Sequence, residues 1–433
     1  MRKTILRTRI AHFKDEADLS NEAALQYFDD AIIVFENDKV SLLDDAKKLS
    51  QQGFDLATAE HLPDSLLMSG FIDSHVHVPQ LDIIGSHGKQ LLDWLNNYTF
   101  PMETLFSDVE HSKAMTTRFL DYLLAQGTTT AMAFTTSFAH STEHLFEEAL
   151  KRNMRLLAGK VTMDCNAPDA LLDSPESAFA DSSRLIEKWH GTGRLGYAIT
   201  PRFAITSSMK QLKYLQKLQN NYPGVWLQTH LSENKQEVEF VKELYPNSKD
   251  YLDVYESYGL HTGKTVFAHC IHLSESELSR LKNTGSTIAF CPSSNMFLGS
   301  GLLDLQRVLD AGVDVVLASD IGAGTSLSMF QTMGDAYKVC QLQGNTLSAC
   351  DAYYMCSLGA AKALKLSRHI GNLDVTKEAD AILINPKSDP YFKERTNYCK
   401  TIEEELFVYM VAGDDRLIER TYVAGEVQYS KKN

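Results

Sequence analysis

Two histidines separated by one residue, His75 and His77, follow an apolar run and are predicted to end a β-strand. On a strand, residues i and i+2 point to the same face, so both imidazoles reach one side. Three further groups that can bind a metal, His230, His269 and Asp320, also follow apolar, strand-like segments. Imidazoles and a carboxylate suit a borderline divalent cation such as Zn²⁺, with Fe²⁺ as an alternative because such sites select metals poorly. The sequence therefore predicts a metal centre.

A catalytic metal centre of this type predicts hydrolysis at an electrophilic carbon. The metal keeps one position for water and lowers the pKa of that water to about 7. Glu233 lies three residues after His230, where its carboxylate can carry a proton near the bound water. The alternative for Glu233 is an acidic residue at a helix N-terminus, where the helix dipole favours negative charge.

The elements that must position these residues are predicted to be repeated β-α units. Between residues 66 and 320, short apolar runs alternate with amphipathic stretches, which indicates a parallel sheet. We predict eight strands, at residues 66–75, 128–134, 156–163, 195–200, 225–230, 265–269, 286–291 and 313–320. Eight parallel strands close a barrel that presents all their carboxyl ends at one face. The five candidate metal-site residues are therefore expected to converge there.

The two ends of the chain are predicted to form a second, smaller domain. Strand-like segments at residues 31–35, 381–384 and 421–427 favour hairpins. We therefore predict an α/β protein with a (β/α)8 TIM-like barrel at residues 66–375 and a small β-sandwich domain built from residues 1–65 and 376–433. The long, aromatic loop at residues 78–110 is expected to have a functional role, because long loops in compact domains usually do.

Composition excludes several classes of protein. The chain has 433 residues, of which 44% are hydrophobic, and its net charge of -14 disfavours binding to a nucleic acid polymer. Its 7 cysteines include no Cys-x-x-Cys pair, which favours a reducing, cytoplasmic location. We expect neither a signal peptide nor a membrane span, since no apolar run approaches about 20 residues.

Motifs of other enzyme classes are missing or misplaced. A Gly-x-Gly-x-x-Gly match at residues 191–196 follows a helix-like stretch and precedes a strand, whereas the dinucleotide fingerprint needs the reverse order. The sequence has no His-Glu-x-x-His, no Gly-x-Ser-x-Gly and no Pro-Cys-x-x-Cys motif. Metalloprotease, serine hydrolase and nucleic acid deaminase functions therefore lose their main support.

Taken together, the motifs resemble those of the amidohydrolase superfamily over nearly the whole chain. Superfamily features are Gly-Phe-Ile-Asp-x-His-x-His at residues 70–77, the strand-end His230, Ala268-His269-Cys270 and Ser319-Asp320. A narrower set resembles the guanine deaminase branch, namely Pro79-Gln80, Leu91-Leu92-Asp93-Trp94-Leu95 with Thr99-Phe100-Pro101-x-Glu103, Thr200-Pro201-Arg202-Phe203-Ala204, Cys291-Pro292-Ser293-Ser294-Asn295 and Ser319-Asp320-Ile321-Gly322-Ala323-Gly324.

This resemblance implies one zinc ion per subunit, held by His75, His77, His230 and Asp320. It implies that His269 hydrogen-bonds the metal-bound oxygen. Binuclear relatives commonly carry a bridging lysine at the fourth strand end, where this chain has Thr200-Pro201-Arg202. A single metal is therefore expected.

The resemblance also implies the catalytic and substrate-binding roles. Glu233 would move a proton from the zinc-bound water to a ring nitrogen of guanine, with Asp320 as both ligand and general base, and His269 would complete the catalytic set. Gln80, Arg202 and the backbone of Phe203 would hold the purine edge and its carbonyl. Substrate contacts are also expected from the site's remaining members, His77, His230, Glu233 and Asp320.

The expected reaction is hydrolysis of guanine to xanthine and ammonia in purine catabolism or salvage, by a homodimeric enzyme. One alternative is a related amidohydrolase that deaminates another heterocycle, such as 8-oxoguanine, cytosine or a triazine. A second is a non-catalytic barrel that serves as a scaffold, although this chain has lost none of the expected ligands.

Overall fold

The computed structural model describes residues 3–19, 25–88 and 90–431, and it forms two sheets. In chain order the strands are β1 (Lys3–Phe13), β2 (Leu25–Glu36), β3 (Lys39–Asp45), β4 (Glu60–Ser69), β5 (Phe71–His77), β6 (Thr128–Phe134), β7 (Arg155–Gly159), β8 (Val161–Thr162), β9 (Leu195–Pro201), β10 (Trp226–Leu231), β11 (Thr265–His269), β12 (Thr287–Phe290), β13 (Asp314–Leu317), β14 (Ala381–Ile384), β15 (Ile418–Val423) and β16 (Glu426–Ser430). The predicted α/β class, with a barrel and a β domain made from both termini, is confirmed.

The barrel sheet runs in the order β5-β6-β7-β9-β10-β11-β12-β13, with short β8 paired to β9, and its neighbouring strands are parallel. Two backbone hydrogen bonds join the last strand to the first, because Asp320 N–H donates to His75 O at 3.0 Å and His77 N–H donates to Ile321 O at 3.1 Å. The ring is therefore closed by residues at the carboxyl ends of β13 and β5.

Most of the helices surround the barrel, whereas α1 (Ala46–Gln51) packs its apolar residues against β2 and β3 of the β domain. The other helices are α2 (Leu91–Trp94), α3 (Phe100–Thr104), α4 (Val109–Ala125), α5 (Ala139–Lys151), α6 (Pro175–Trp189), α7 (Met209–Asn221), α8 (Lys235–Leu244), α9 (Tyr251–Glu256), α10 (Glu275–Thr284), α11 (Pro292–Phe297), α12 (Leu305–Asp310), α13 (Met329–Leu342), α14 (Ala349–Met355), α15 (Leu358–Ala363), α16 (Pro390–Thr396) and α17 (Ile402–Ala412). Among the described residues, no helix is both long and apolar enough to cross a membrane.

Helix α10 illustrates how local sequence sets these boundaries. The hydroxyl of Ser274 accepts from Glu277 N–H, and the Glu277 carboxylate accepts from Ser274 N–H at 2.8 Å, which is a capping box. The helix ends at Gly285, whose φ of 73° is left-handed. Both ends of α10 are thus set by residues within or next to the helix.

The β domain is a single seven-stranded mixed sheet in the order β16-β15-β14-β4-β1-β2-β3. One prediction was wrong. The strand expected at residues 66–75 is two strands, β4 and β5, which belong to different sheets. The chain changes sheet at Gly70, where a β-carbon would collide with the side chain of Thr129. The segment at residues 421–427 lies in a hairpin of β15 and β16, as predicted.

Arg194 connects the amino end of the barrel to the β domain. Its guanidinium donates to Glu378 Oε2 at 2.7 Å and to Asn153 O at 2.8 Å, and it pairs with Asp380. Asp380 also accepts from Ala424 N–H at 2.8 Å. The side chains of Arg194 and Asp380 are only 9% and 5% exposed, so this ion pair is largely withdrawn from water.

We expect Arg194→Met to lower the free energy of unfolding by about 3 kcal/mol, because removing one partner leaves a buried charge uncompensated. The measurement is the urea unfolding transition followed by tryptophan fluorescence. The control is Arg184→Met, whose partner is Glu143 and whose side chain is 50% exposed. This control should change stability by less than about 0.5 kcal/mol, and an equal effect of both variants would contradict the prediction.

Candidate active site

Four imidazole groups and one carboxylate meet where the barrel closes. His77 Nε2 lies 3.2 Å from His75 Nε2 and 3.3 Å from His230 Nε2. Asp320 Oδ1 lies 3.3 Å from His75 Nε2 and 3.2 Å from His77 Nε2. His269 Nε2 is 3.7 Å from Asp320 Oδ2. All five residues that the sequence singled out for a metal centre therefore lie together.

Hydrogen bonds to the outer ring nitrogens turn two of the histidines inward. His230 Nδ1 is 2.6 Å from Arg202 O, and His269 Nδ1 is 2.8 Å from Asn295 Oδ1. Since a carbonyl only accepts, His230 carries its proton on Nδ1 and directs the Nε2 lone pair into the cluster. With the Asn295 oxygen facing it, His269 has the same tautomer.

Electrostatics favour the protonation states that bind cations. Burial lowers the pKa of His75, lowers that of His77 to about 3, and lowers that of His230 well below its ordinary value. Burial opposes ionisation of Asp320, yet hydrogen bonds from His75 and His77 hold its pKa well below the usual range. Neutral imidazoles beside an ionised carboxylate are the form of these groups that ligates a metal.

The strand ends that carry the site have unusual backbone geometry. His269, Asp320 and Ser232 have φ values of 70°, 50° and 49°, in the left-handed region that residues other than glycine seldom adopt. Such conformations persist where surrounding contacts hold them, and they are concentrated at functional sites. Here they turn the chain at the barrel mouth immediately after β11, β13 and β10.

Asp73 supports the metal-site residues without belonging to them. Its carboxylate accepts from Ser319 N–H at 3.0 Å and from the Ser319 hydroxyl, and His75 N–H lies 3.4 Å from it. Burial raises the pKa of Asp73 to about 6, although the bonds from Ser319 oppose that rise. Asp73 thus joins the strand that carries His75 to the segment that carries Asp320.

A small cavity opens beside the cluster. It is lined by predicted site residues and by apolar side chains from the loop after β5 and from the barrel mouth: His77, Gln80, Leu91, Trp94, Leu95, Arg202, Phe203, His230, Glu233, His269, Leu298, Asp320 and Ala323. A mostly apolar pocket with a few converging polar groups is typical of a small-molecule site.

Glu233 faces both the cluster and this cavity. Its Oε2 lies 3.4 Å from His269 Nε2, and its Oε1 accepts from the Ser300 hydroxyl at 3.0 Å. Burial, reinforced by the charge of Asp320, raises the pKa of Glu233 to about 8. Glu237, not Glu233, provides the capping carboxylate of α8, accepting from Asn234 N–H at 3.0 Å. Glu233 precedes the N-cap of α8 without capping it, and its carboxylate is directed to His269 and Ser300.

The polar residues expected to contact substrate are also held in place. Gln80 Oε1 accepts from Gly322 N–H at 3.1 Å. Arg202 Nη1 donates to Glu103 Oε1 at 2.5 Å, and both side chains are almost fully buried. Phe203 follows directly and lines the same cavity. Gln80, which follows β5, and Arg202, which follows β9, thus reach the same cavity.

Comparison with known proteins identifies the family. Residues 66–427 match the amidohydrolase family. The chain is 46% identical over 409 residues to the guanine deaminase of Escherichia coli K12, covering 94% of this chain and 93% of that protein. The solved structure of the E. coli guanine deaminase superposes with a TM-score of 0.96 at 44% identity, covering 99% of this chain and 100% of that one.

The chain belongs to the guanine deaminases of the amidohydrolase family. A guanine deaminase from C. acetobutylicum, solved with guanine bound in its active site, superposes with a TM-score of 0.89 at 30% identity. That pair covers 99% of this chain and 100% of the other.

In this amidohydrolase, the sequence motifs assign no role to several residues that lie around the site. Asp73, Glu103 and Asn295 stand inside motifs that the resemblance marks, so a signal for them exists. Ser300 stands in no motif, and only the fold brings its hydroxyl to Glu233. Leu91, Trp94 and Leu95 stand inside another such motif, at residues 91–95, whereas Leu298 stands in none.

The donor set fits a divalent cation. In a tetrahedral site with metal–nitrogen distances of about 2.0–2.1 Å, neighbouring ligand atoms lie about 3.3–3.4 Å apart. The distances of 3.2–3.3 Å that connect His75, His77, His230 and Asp320 agree with this value. The ligand atoms of His75, His230, His269 and Asp320 also lie within 4.8 Å of one another, so His269 stands close enough to touch a bound ion or its water.

We expect His75→Ala to retain less than about one tenth of the metal bound by the unmodified protein, because it removes one of four ligands. Metal analysis after gel filtration gives the measurement. The control is His261→Ala. The side chain of His261 is also buried, but this residue lies before the amino end of β11, whereas His269 lies at its carboxyl end. Full metal content in His75→Ala would remove this histidine from the ligand set.

Proposed function

We propose that this protein hydrolyses guanine to xanthine and ammonia, using one divalent cation. The observation that carries the proposal is the single cavity that joins the His–Asp cluster, the Glu233 carboxylate and the polar groups of Gln80 and Arg202. Deamination of a purine requires these functions together, namely an activated water, a proton carrier and fixed donors and acceptors for the ring. The identity to guanine deaminases over nearly the whole chain supports the same substrate.

The cation would be held by His75, His77, His230 and Asp320. When bound, it lowers the pKa of a coordinated water and so provides a nucleophile at neutral pH. We infer that it is Zn²⁺, with Fe²⁺ as the realistic substitute, because three imidazoles and one carboxylate suit both.

Protons are moved by the side chains around the cluster. Glu233, held by the Ser300 hydroxyl, takes one proton from the attacking water and delivers it to the ring nitrogen beside C2, which makes that carbon more electrophilic. Asp320 accepts the remaining proton of the attacking water, whose oxygen bonds to C2. The proton then reaches the exocyclic amine, the C2–N bond breaks and ammonia leaves. His269 stands within reach of the attacking oxygen and orients it.

Substrate recognition is assigned to the opposite side of the cavity. Arg202 donates to the purine carbonyl, and Gln80 and the backbone of Phe203 meet the ring edge. Buried polar groups of this kind reject analogues that leave them unpaired. A cytoplasmic location, a homodimeric assembly and a place in purine catabolism or salvage remain predictions from the sequence.

Purified, metal-loaded protein should convert guanine into equal amounts of xanthine and ammonia, measured by chromatography and an ammonia assay. In a panel that includes 8-oxoguanine, cytosine and an aminotriazine, guanine should have the highest kcat/KM, because the polar groups of the cavity match its edge. Absence of both products with the metal confirmed bound would refute the proposal. A higher kcat/KM for another heterocycle would assign the protein to that substrate.

Glu233→Gln should keep its metal while kcat for guanine falls by about 10² or more, as expected when a positioned proton carrier is lost. The control is Glu239→Gln on α8, whose side chain is 68% exposed and pairs with Lys242. That control should leave kcat unchanged within about twofold. Normal turnover by Glu233→Gln would exclude Glu233 from the proton transfer.

A further inference from the structure

The ion pair between Glu103 and Arg202 is the most deeply buried one beside the cavity. Their side chains are 0% and 3% exposed, and Arg202 Nη1 lies 2.5 Å from Glu103 Oε1. Among the described residues, Glu103 is the only carboxylate within ion-pairing distance of this guanidinium. A guanidinium stays ionised in proteins, so its burial requires a counter-charge.

Glu103 and an aromatic ring on the same short helix hold the guanidinium from two sides. Phe100 and Glu103 lie three residues apart on α3, which places their side chains on one face. The Phe100 ring centroid is 5.3 Å from Arg202 Cζ, within the range of a cation–π contact. The carboxylate and the ring together restrict the plane and the rotation of the arginine head group.

The same segment also builds the wall of the cavity. Trp94 and Leu95 line the pocket, and the π-helical stretch Leu95–Thr99 connects them to α3. Trp94 Nε1–H donates to Ser86 O at 3.1 Å, which anchors the start of the segment. One insertion after β5 therefore contributes both the apolar wall and the partner of Arg202.

We propose that Glu103 is a positioning residue that orients Arg202 toward the carbonyl of the bound purine. A guanidinium has five N–H groups in a fixed fork, so one bond to Glu103 sets the direction of those that remain for substrate. Without the carboxylate, the guanidinium of Arg202 would lose its orientation, and its hydrogen bond to the purine carbonyl would weaken. This proposal rests on the proposed function and refines its substrate recognition.

The test uses a ligand that lacks the group Arg202 is expected to hold. Guanine has a carbonyl at C6, whereas 2-aminopurine has the same ring and amine without it. In Glu103→Gln, which keeps the size and removes the charge, KM for guanine should rise about 10- to 100-fold, the loss expected for a hydrogen bond to a charged group. The inhibition constant of 2-aminopurine, measured as a competitor of guanine, should change less than about threefold.

The controls separate positioning from a purely structural role. Glu405→Gln makes the same change in another shielded ion pair, in which Arg9 Nη1 lies 2.8 Å from Glu405 Oε2 and neither residue lines the cavity. It should alter neither constant by more than about twofold. Metal content should be unchanged in both variants. If Glu103→Gln fails to fold, Glu103→Asp, which keeps the charge and shortens the side chain, should show a smaller rise in KM for guanine with the same selectivity.

Two outcomes would overturn the role of Glu103: equal weakening of guanine and 2-aminopurine, or no change in either. Both outcomes require that the unmodified protein converts guanine, so they leave the proposed function intact. Failure of the unmodified protein to convert guanine refutes the proposed function instead.

Discussion

The convergence of buried, cation-binding side chains at the point of barrel closure is the constraint on which the rest of the structure depends. His75 and Asp320 approach within 3.3 Å through their side chains, and their backbones share the hydrogen bond from Asp320 N–H to His75 O. The same two residues therefore close the sheet and belong to the cluster that fits a divalent cation. Burial disfavours the charged form of an imidazole, so the histidines of the cluster are neutral and lie beside one ionised carboxylate.

The supporting residues show how this arrangement is held. Asp73 binds Ser319 next to Asp320, Asn295 faces the outer nitrogen of His269, and the Arg202 carbonyl faces that of His230. Each contact uses a neighbouring strand end to orient a side chain of the cluster. Such outer contacts set ring orientation and basicity in metal sites, which explains why the barrel mouth is dense in buried polar groups.

The loop after β5 has a double role. It carries Gln80 immediately after the His75–His77 pair and then contributes the wall and the partner of Arg202. The metal-binding and ring-binding halves of the cavity are thus joined through one continuous segment. The aromatic character of this loop indicates a functional role, but nothing in its local pattern predicts that Glu103 meets an arginine on the fourth strand of the barrel.

Local sequence determined much of the architecture, because periodicity and capping act over a few residues. The bounds of β6 and β11, and both ends of α10, agree with apolar runs and a Ser-x-x-Glu cap. Pairing between distant segments is different. The apolar run before His75 is divided between two sheets, because β4 pairs with β14 more than 300 residues away, and α16 and α17 lie between the two strands expected near the C-terminus.

The site shows the same division between what local sequence determines and what tertiary packing determines. The sequence by itself determined which residues can bind a cation and carry a proton, since residue type and position at a strand end decide both. Only the tertiary structure decided how they are held: the contact of Ser300 with Glu233 and the pairing of Glu103 with Arg202. These contacts join residues 67 and 99 positions apart in the chain, and they depend on packing between elements that no local pattern records.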